Sequence, residues 1–290
     1  MKPLLALLAV LALGWPAHAQ LFTLSKEQVL HYTALNPFGR FDDGRPMVPD
    51  SLLEKVQGLS AEEVFSVLEA SGYHNQYEGG WKILHPGKKL VGRAVTAQYM
   101  PGRPDVTDVV NKDALAKGMP PSLPERVIDQ LRPGDVVVVD LFGKVENGTF
   151  GGDNLHTAIW AATKTGFVIN GGIRDLEGTI EVPSAGYYRG ATPTSFREVM
   201  LTGINIPIRI GNATVMPGDV VFGDREGVYF IPPHLVQKVV DQAEITHIHD
   251  EWTKAKLMTG KYKSSDVYPS PHDPALKKEY EEYLKKRLGK

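Results

Sequence analysis

Two short clusters between Gly151 and Glu177 hold residue types suited to binding a small anion beside a metal: Gly151-Gly152-Asp153-Asn154-Leu155 and Arg174-Asp175-Leu176-Glu177. Free backbone N–H groups of Asn154 and Leu155, at the start of a helix, would hold a carboxylate. Arg174 offers a fork of donors that clamps the same group. Asp175 offers hard oxygen to a cation such as Mg2+ or Mn2+, and Gly151 and Gly152 let backbone come close to a ligand. Each residue also has a plainer role open to it. Asp153 would serve as a helix cap, Arg174 and Asp175 as a surface ion pair, and the glycines as turn residues.

The neighbouring sequence says how these clusters meet. Pro133-Gly134-Asp135 turns into Val136–Asp140, a continuous apolar run of the kind buried on both faces. Leu155, Ala158, Ile159 and Ala162 then recur at helical spacing, and Phe167–Asn170 reads as a second buried strand ended by Gly171-Gly172. Such a strand-helix-strand unit has parallel strands and a right-handed crossover. Ligands bind beyond the carboxyl ends of strands in such sheets, so the topology brings Asp153, Arg174 and Asp175 together.

At these residues the chain resembles a known family. Asp153, followed after twenty residues by Arg174-Asp175, is similar to the pattern of the 4-hydroxy-4-methyl-2-oxoglutarate/4-carboxy-4-hydroxy-2-oxoadipate aldolases. These share a fold with the regulator of ribonuclease activity A. Gly92-Arg-Ala-Val-Thr96, Pro133–Asp140 and Pro217–Val228 add to the likeness, which covers roughly Ser60 to Thr259. The resemblance implies that Gly152, Asp153, Asn154, Leu155 and Arg174 bind the pyruvyl part of a small 2-oxo acid, and that Asp175 holds the metal with waters. It further implies a swivelling β/β/α-type sandwich core and a homotrimer or homohexamer with sites at subunit boundaries. The ribonuclease regulators lack the aspartate after the arginine, so Asp175 points to the enzyme branch, and a non-catalytic ligand-binding or regulatory protein is the second reading.

The chemistry so implied is metal-assisted cleavage of a 4-hydroxy-2-oxo acid to pyruvate, with oxaloacetate decarboxylation through the same enolate. Arg174 would hold the developing negative charge, and water positioned by Asp153 would return a proton. No lysine falls in the motif, although Lys144 and Lys164 stand nearby in sequence, and Gly-x-Ser-x-Gly is absent. Glu244, His247, His249 and Glu251 offer at most one pair on a shared helix face and read as a polar surface. His156 reads either as a ligand contact or as a helix-surface histidine.

The rest of the chain bounds these readings. Lys2, the apolar run Leu4–Leu13 and Ala17-His18-Ala19 form an export-signal pattern over residues 1–19, too short to anchor in a bilayer. This predicts an exported protein, periplasmic or secreted. With no cysteine there is no disulfide framework, thiolate metal site or cysteine nucleophile. A net charge of −2 with interspersed signs argues against nucleic acid as an obligatory partner. Residues 20–58 read as an extension wrapping on a core, 59–259 as the catalytic α/β domain, and 260–290 as a second extension. Further helices are expected at Lys26–Leu35, from the Ser60 capping box to Ala70, at Val106–Lys117, Pro124–Leu131 and Pro233–Thr259, and at the charged C-terminus. Strands are expected at Leu90–Met100, Pro207–Ile210, Asp219–Phe222 and Gly227–Ile231, and a loop at Tyr262–Pro274.

Overall fold

A computed structural model describes residues 23–289 except 117, 120 and 122, so the export-signal pattern lies outside the described residues. The N-terminal part forms helix α1 (Lys26–Tyr32), the short strands β1 (Gly39–Arg40) and β2 (Pro46–Met47), and helices α2 (Asp50–Gln57) and α3 (Ala61–Ala70). Next come β3 (Tyr77–Glu78), β4 (Lys82–Ile83), the long β5 (Leu90–Pro101), α4 (Pro104–Ala116) and α5 (Glu125–Ile128). The central unit is β6 (Asp135–Asp140), α6 (Asp153–Thr163), β7 (Gly166–Ile173) and α7 (Leu176–Glu181). It is followed by β8 (Ala185–Ala191), β9 (Val199–Ile204), the hairpin β10 (Ile208–Ile210) and β11 (Ala213–Val215), β12 (Val220–Gly223) and β13 (Val228–Ile231). Helices α8 (Val236–Met258), α9 (Ser264–Val267) and α10 (Pro274–Arg287) complete the chain.

Ser60 opens α3 as its spacing predicts: Glu63 N–H donates to Ser60 Oγ, and Ser60 N–H donates to the Glu63 carboxylate at 2.7 Å. Strands β5, β6, β7 and β8 run parallel in the middle of a nine-stranded sheet whose main path is β3-β13-β12-β5-β6-β7-β8-β4, with β9 paired to β5 off that path. The first residues of β5 pair with β12 and the last with β9, so one strand edge serves two partners and the sheet curls. All four valines of β6 are fully buried, as a strand covered on both faces requires. Val137 and Val139 face a core shared with Ile159 of α6 and Val127 of α5, whereas Val136 and Val138 face one closed by Ile208, Ile210, Ala213 and Val215 of the hairpin. The layers are therefore hairpin, sheet and helices, a mixed α/β fold of the expected class.

Some boundaries differ from the sequence reading. Strand β7 does not stop at Gly171-Gly172 but runs through them to Ile173. A Cβ at Gly171 would lie 2.6 Å from Leu141 Cβ, and one at Gly172 2.6 Å from Val145 O, because the loop after β6 crosses the strand there. These glycines permit that close approach and do not break the strand. The segment 262–274 contains the short α9. Strands β8 and β9, and helices α2 and α7, were not anticipated.

The N-terminal segment is built into the core. Val48, Leu52, Leu53 and Val56 pack with Val64, Val67, Phe222, Ile231 and Val236. Arg45, fully covered, places two guanidinium N–H groups on Asp135 at 3.2 and 3.3 Å and donates to Asp43 at 3.0 Å, its guanidinium lying 4.8 Å from the Phe41 ring centre. Removing one partner strands a buried charge, so Arg45→Ala should lower unfolding stability by roughly 3–5 kcal/mol in a urea titration. A loss under about 1 kcal/mol, the scale of an exposed pair, would show that this ion pair does not hold the segment in place.

Candidate functional site

Both predicted clusters sit beyond the carboxyl ends of β6 and β7 and meet there. Gly152 is the N-cap of α6, and Asp153 is its first helical residue. Asp175 caps α7 in a left-handed conformation, φ 52° and ψ 48°, with no side-chain capping bond. Aspartate tolerates that region better than most residues, and the turn throws its carboxylate back toward α6. A Cβ at Gly152 would lie 2.1 Å from Asp175 Oδ2, and a Cβ at Gly178 would lie 2.6 Å from Asp153 Oδ2. Each carboxylate thus lies over a glycine of the opposite segment. The role of Gly152 is to make room for Asp175, and Gly178 is the partner that the sequence reading missed.

Arg174 joins the two segments through its backbone, whose N–H donates to Gly151 O at 3.0 Å. Its Nε lies 3.4 Å from Asp175 Oδ2, with the side chains 43% and 46% exposed, so the surface ion pair weighed from sequence is present. The two residues border an open cleft of about 330 Å³ with Leu176, Ala191, Thr192 and Pro193. Gly152, Asp153, Asn154 and Leu155 lie beside this cleft and do not line it. The loop after β8 supplies its far wall; its only sequence signal was the turn chemistry of Gly190-Ala-Thr-Pro193.

One expected donor is engaged. Asn154 N–H donates to Asp153 Oδ1 at 2.8 Å, because a carboxylate at the first helical position satisfies the nearest unpaired N–H itself. Leu155 N–H has no partner among the described residues.

The donor set tests what cation the site suits. Among the described residues no three His, Asp or Glu side chains converge as a metal cage. The carboxylate of Asp175, half exposed and seated in the space that Gly152 leaves, fits a hard cation that keeps most of its water and binds through one or two carboxylates.

His156 is buried, not on the helix surface. Its ring stacks on Phe167 at 4.4 Å and 18°, and Nδ1 lies 3.2 Å from Thr179 Oγ1, which in turn donates to Arg174 O at 3.3 Å. Burial holds its pKa down at about 4, with Asp153 opposing in part. A neutral imidazole therefore braces α7 beneath Arg174. Lys144 pairs with Glu198 at 3.2 Å, and Lys164 ends α6 at the opposite terminus from Asp153. Glu251 accepts from Tyr283 Oη and Arg287, and His249 packs edge-on to Tyr280, so that constellation joins α8 to α10.

The sequence profile of the RraA-like family (Aldolase/RraA) matches residues 59–230. The chain belongs to this family. It is 32% identical over 170 residues to a protein of Halalkalibacterium halodurans named putative 4-hydroxy-4-methyl-2-oxoglutarate aldolase, covering 59% of this chain and 72% of that one. It is 27% identical over 214 residues to protein DlpA of Legionella pneumophila, covering 72% of this chain but about a third of the Legionella protein, 32%. Among solved structures it resembles RraAS2 of Streptomyces coelicolor, described as an unusual member of the RNase ES inhibitor RraA protein family. That likeness has a TM-score of 0.60 and 26% identity, covering 77% of this chain and all of that one.

Two outcomes follow for this RraA-like chain. Gly152→Ala should force the Asp175 carboxylate aside, lowering Mn2+ affinity about 10-fold or more in an electron paramagnetic resonance titration. Its stability should change by under about 1 kcal/mol, since the displaced group is a half-exposed side-chain end; unaltered Mn2+ affinity would sever Gly152 from the site. For His156 the native pKa is depressed, so the unfolded chain binds the extra proton between pH 6.5 and about 4. Stability is fully present above 6.5 and falls by about 3 kcal/mol on acidification through that window. His156→Phe should lack this acid-dependent loss, so its urea midpoint should shift in the variant's favour relative to wild type between pH 8 and pH 4; parallel curves would reject the buried neutral imidazole.

Proposed function

We propose that this chain is a divalent-metal-dependent lyase of the class II pyruvate-aldolase type, cleaving a 4-hydroxy-2-oxo acid to pyruvate and decarboxylating oxaloacetate at the same site. The observation that carries the reading is the convergence of Arg174, Asp175 and the Gly152–Asp153 turn beside one cleft. The aldolase name of the H. halodurans relative supports it.

On this reading Asp175, with water, would hold Mg2+ or Mn2+, which supplies Lewis-acid polarisation of the 2-oxo acid oxygens when bound. The Arg174 guanidinium pairs with the substrate carboxylate and faces the charge that develops on the pyruvyl portion. In the retro-aldol direction the 4-hydroxyl proton passes to a solvent base, the O–H electrons form the C4 carbonyl as the C3–C4 bond breaks, and that bond's electron pair moves onto the pyruvyl portion. Water oriented by Asp153 then protonates C3. Leu155 N–H is the backbone donor available to the same anion.

The half-open cleft favours a site completed by a neighbouring subunit, and we infer a homotrimer or homohexamer. The pattern over residues 1–19 supports export to the periplasm or beyond. A regulatory role on the same scaffold is the second reading, favoured by the description of the RraAS2 relative.

Pyruvate release from 4-hydroxy-4-methyl-2-oxoglutarate and from oxaloacetate separates the two. Turnover with Mg2+ or Mn2+ should vanish with EDTA, and Asp175→Ala should lower kcat/KM about 100-fold or more without changing the folded fraction. Turnover that survives both would reject the metal assignment; a folded, metal-supplied protein with no turnover of either acid favours the regulatory reading.

A further inference from the structure

The buried carboxylates of this chain are satisfied in different ways. Asp135 has Arg45, and Asp140 accepts from Phe142 N–H, Asn170 Nδ2 and Gln98 Nε2, each at 2.9 Å. Asp219 is only 3% exposed, and among the described residues its carboxylate receives a single hydrogen bond, from Met216 N–H to Oδ2 at 2.8 Å. No cationic side chain among the described residues lies within ion-pair distance of it.

Asp219 stands in a twin of the Asp135 turn. Pro133-Gly134-Asp135 leads into β6 and Pro217-Gly218-Asp219 into β12, each aspartate accepting from the N–H three residues before it. Both turns lie beside the start of β5, since Arg93 pairs with Asp135 on one edge and with Val220 on the other. That is the end of β6 away from the Asp153–Asp175 site. At the first turn the carboxylate is met by a guanidinium resting on the ring of Phe41. At the second it borders a cavity of about 350 Å³ whose other walls include Tyr32, Leu35, Tyr73, Pro232 and His234.

We propose that this cavity binds a small organic cation, an alkylguanidinium or alkylammonium, whose charged head pairs with Asp219 and whose alkyl body lies against Tyr32, Leu35 and Tyr73. A buried carboxylate is costly unless paired, and a charge-assisted hydrogen bond is the interaction that offsets the cost. Aromatic walls suit the same ligand, because covering its alkyl body removes apolar surface from water. The cavity brings no positive charge of its own: His234, whose Nε2 lies 3.3 Å from Tyr73 Oη, has its pKa lowered by burial and is neutral near pH 7. Burial pushes Asp219 up to about 7, against the Met216 N–H, as befits a carboxylate without a counter-ion.

Isothermal titration of the full chain at pH 8 tests this, with n-butylguanidinium as probe and the neutral, near-isosteric n-butylurea as control. One equivalent of n-butylguanidinium should bind, and n-butylurea should give no heat. Asp219→Asn keeps an acceptor for Met216 N–H but removes the charge, and should weaken binding at least about 10-fold. Tyr32→Ala, at the exposed rim where folding is not at stake, should weaken it roughly 3-fold through lost cover of the alkyl body. Asp175→Ala should bind as wild type does, which separates this site from the proposed lyase site. Equal binding of the neutral urea, unchanged affinity in Asp219→Asn and Tyr32→Ala, or no binding by a wild-type chain that unfolds cooperatively would overturn the proposal.

Discussion

Burial of β6 on both faces is the constraint from which the architecture follows. Four consecutive valines leave neither face for water, so the strand needs a layer on each side. Helices α5 and α6 cover one face and the β10–β11 hairpin covers the other, while parallel neighbours satisfy both edges. A parallel strand pair needs a crossover, and here the crossover is α6, so the loops entering α6 and leaving β7 open at the same end of the sheet. Asp153 and Arg174-Asp175 are brought together by this requirement and not by any direct attraction between them.

That logic was legible because it rests on periodicity and chain order, which a sequence states directly. The valine run, the spacing of Leu155, Ala158, Ile159 and Ala162, and the Ser60 capping box each correspond to an observed element. Contacts between segments distant in sequence were harder to read. Gly171 and Gly172 looked like a strand end, because a sequence does not show that the loop at 141–145 lies across them. Asp175 over Gly152 and Asp153 over Gly178 form a reciprocal contact between two segments, so either half alone reads as an ordinary turn. His156 was ambiguous for the same reason: one histidine among apolar helix positions carries no record of Phe167 beneath it.

The two Pro-Gly-Asp turns show how one local device takes on different energetics from its surroundings. Both supply a strand start and a self-capping aspartate. At Asp135 the N-terminal segment adds Arg45, and the buried pair ties residues 39–57 to the sheet. At Asp219 the same segment adds the rings and side chains of Tyr32 and Leu35 instead. The part of the chain preceding the family match at residue 59 therefore does more than cover the core: it supplies the counter-ion of one buried carboxylate and part of the cavity wall beside another.

The Arg174–Asp175 site has the opposite character from these buried groups. Arg174 and Asp175 are nearly half exposed, and in that setting water screens their fields strongly. A guanidinium so placed gains its full effect on a developing anion only when solvent is displaced. Two features meet that need without rebuilding the fold. The cleft opens outward beside the loop after β8, so a substrate bound as proposed would close it from one side. Beneath it, the geometry is already fixed: the Arg174 N–H is held by Gly151 O, α7 is braced through Thr179 by a neutral His156, and Asp175 is set by its left-handed turn. Rigid support under an open mouth suits a substrate that supplies its own cover, with the scaffold fixing where the charge must fall.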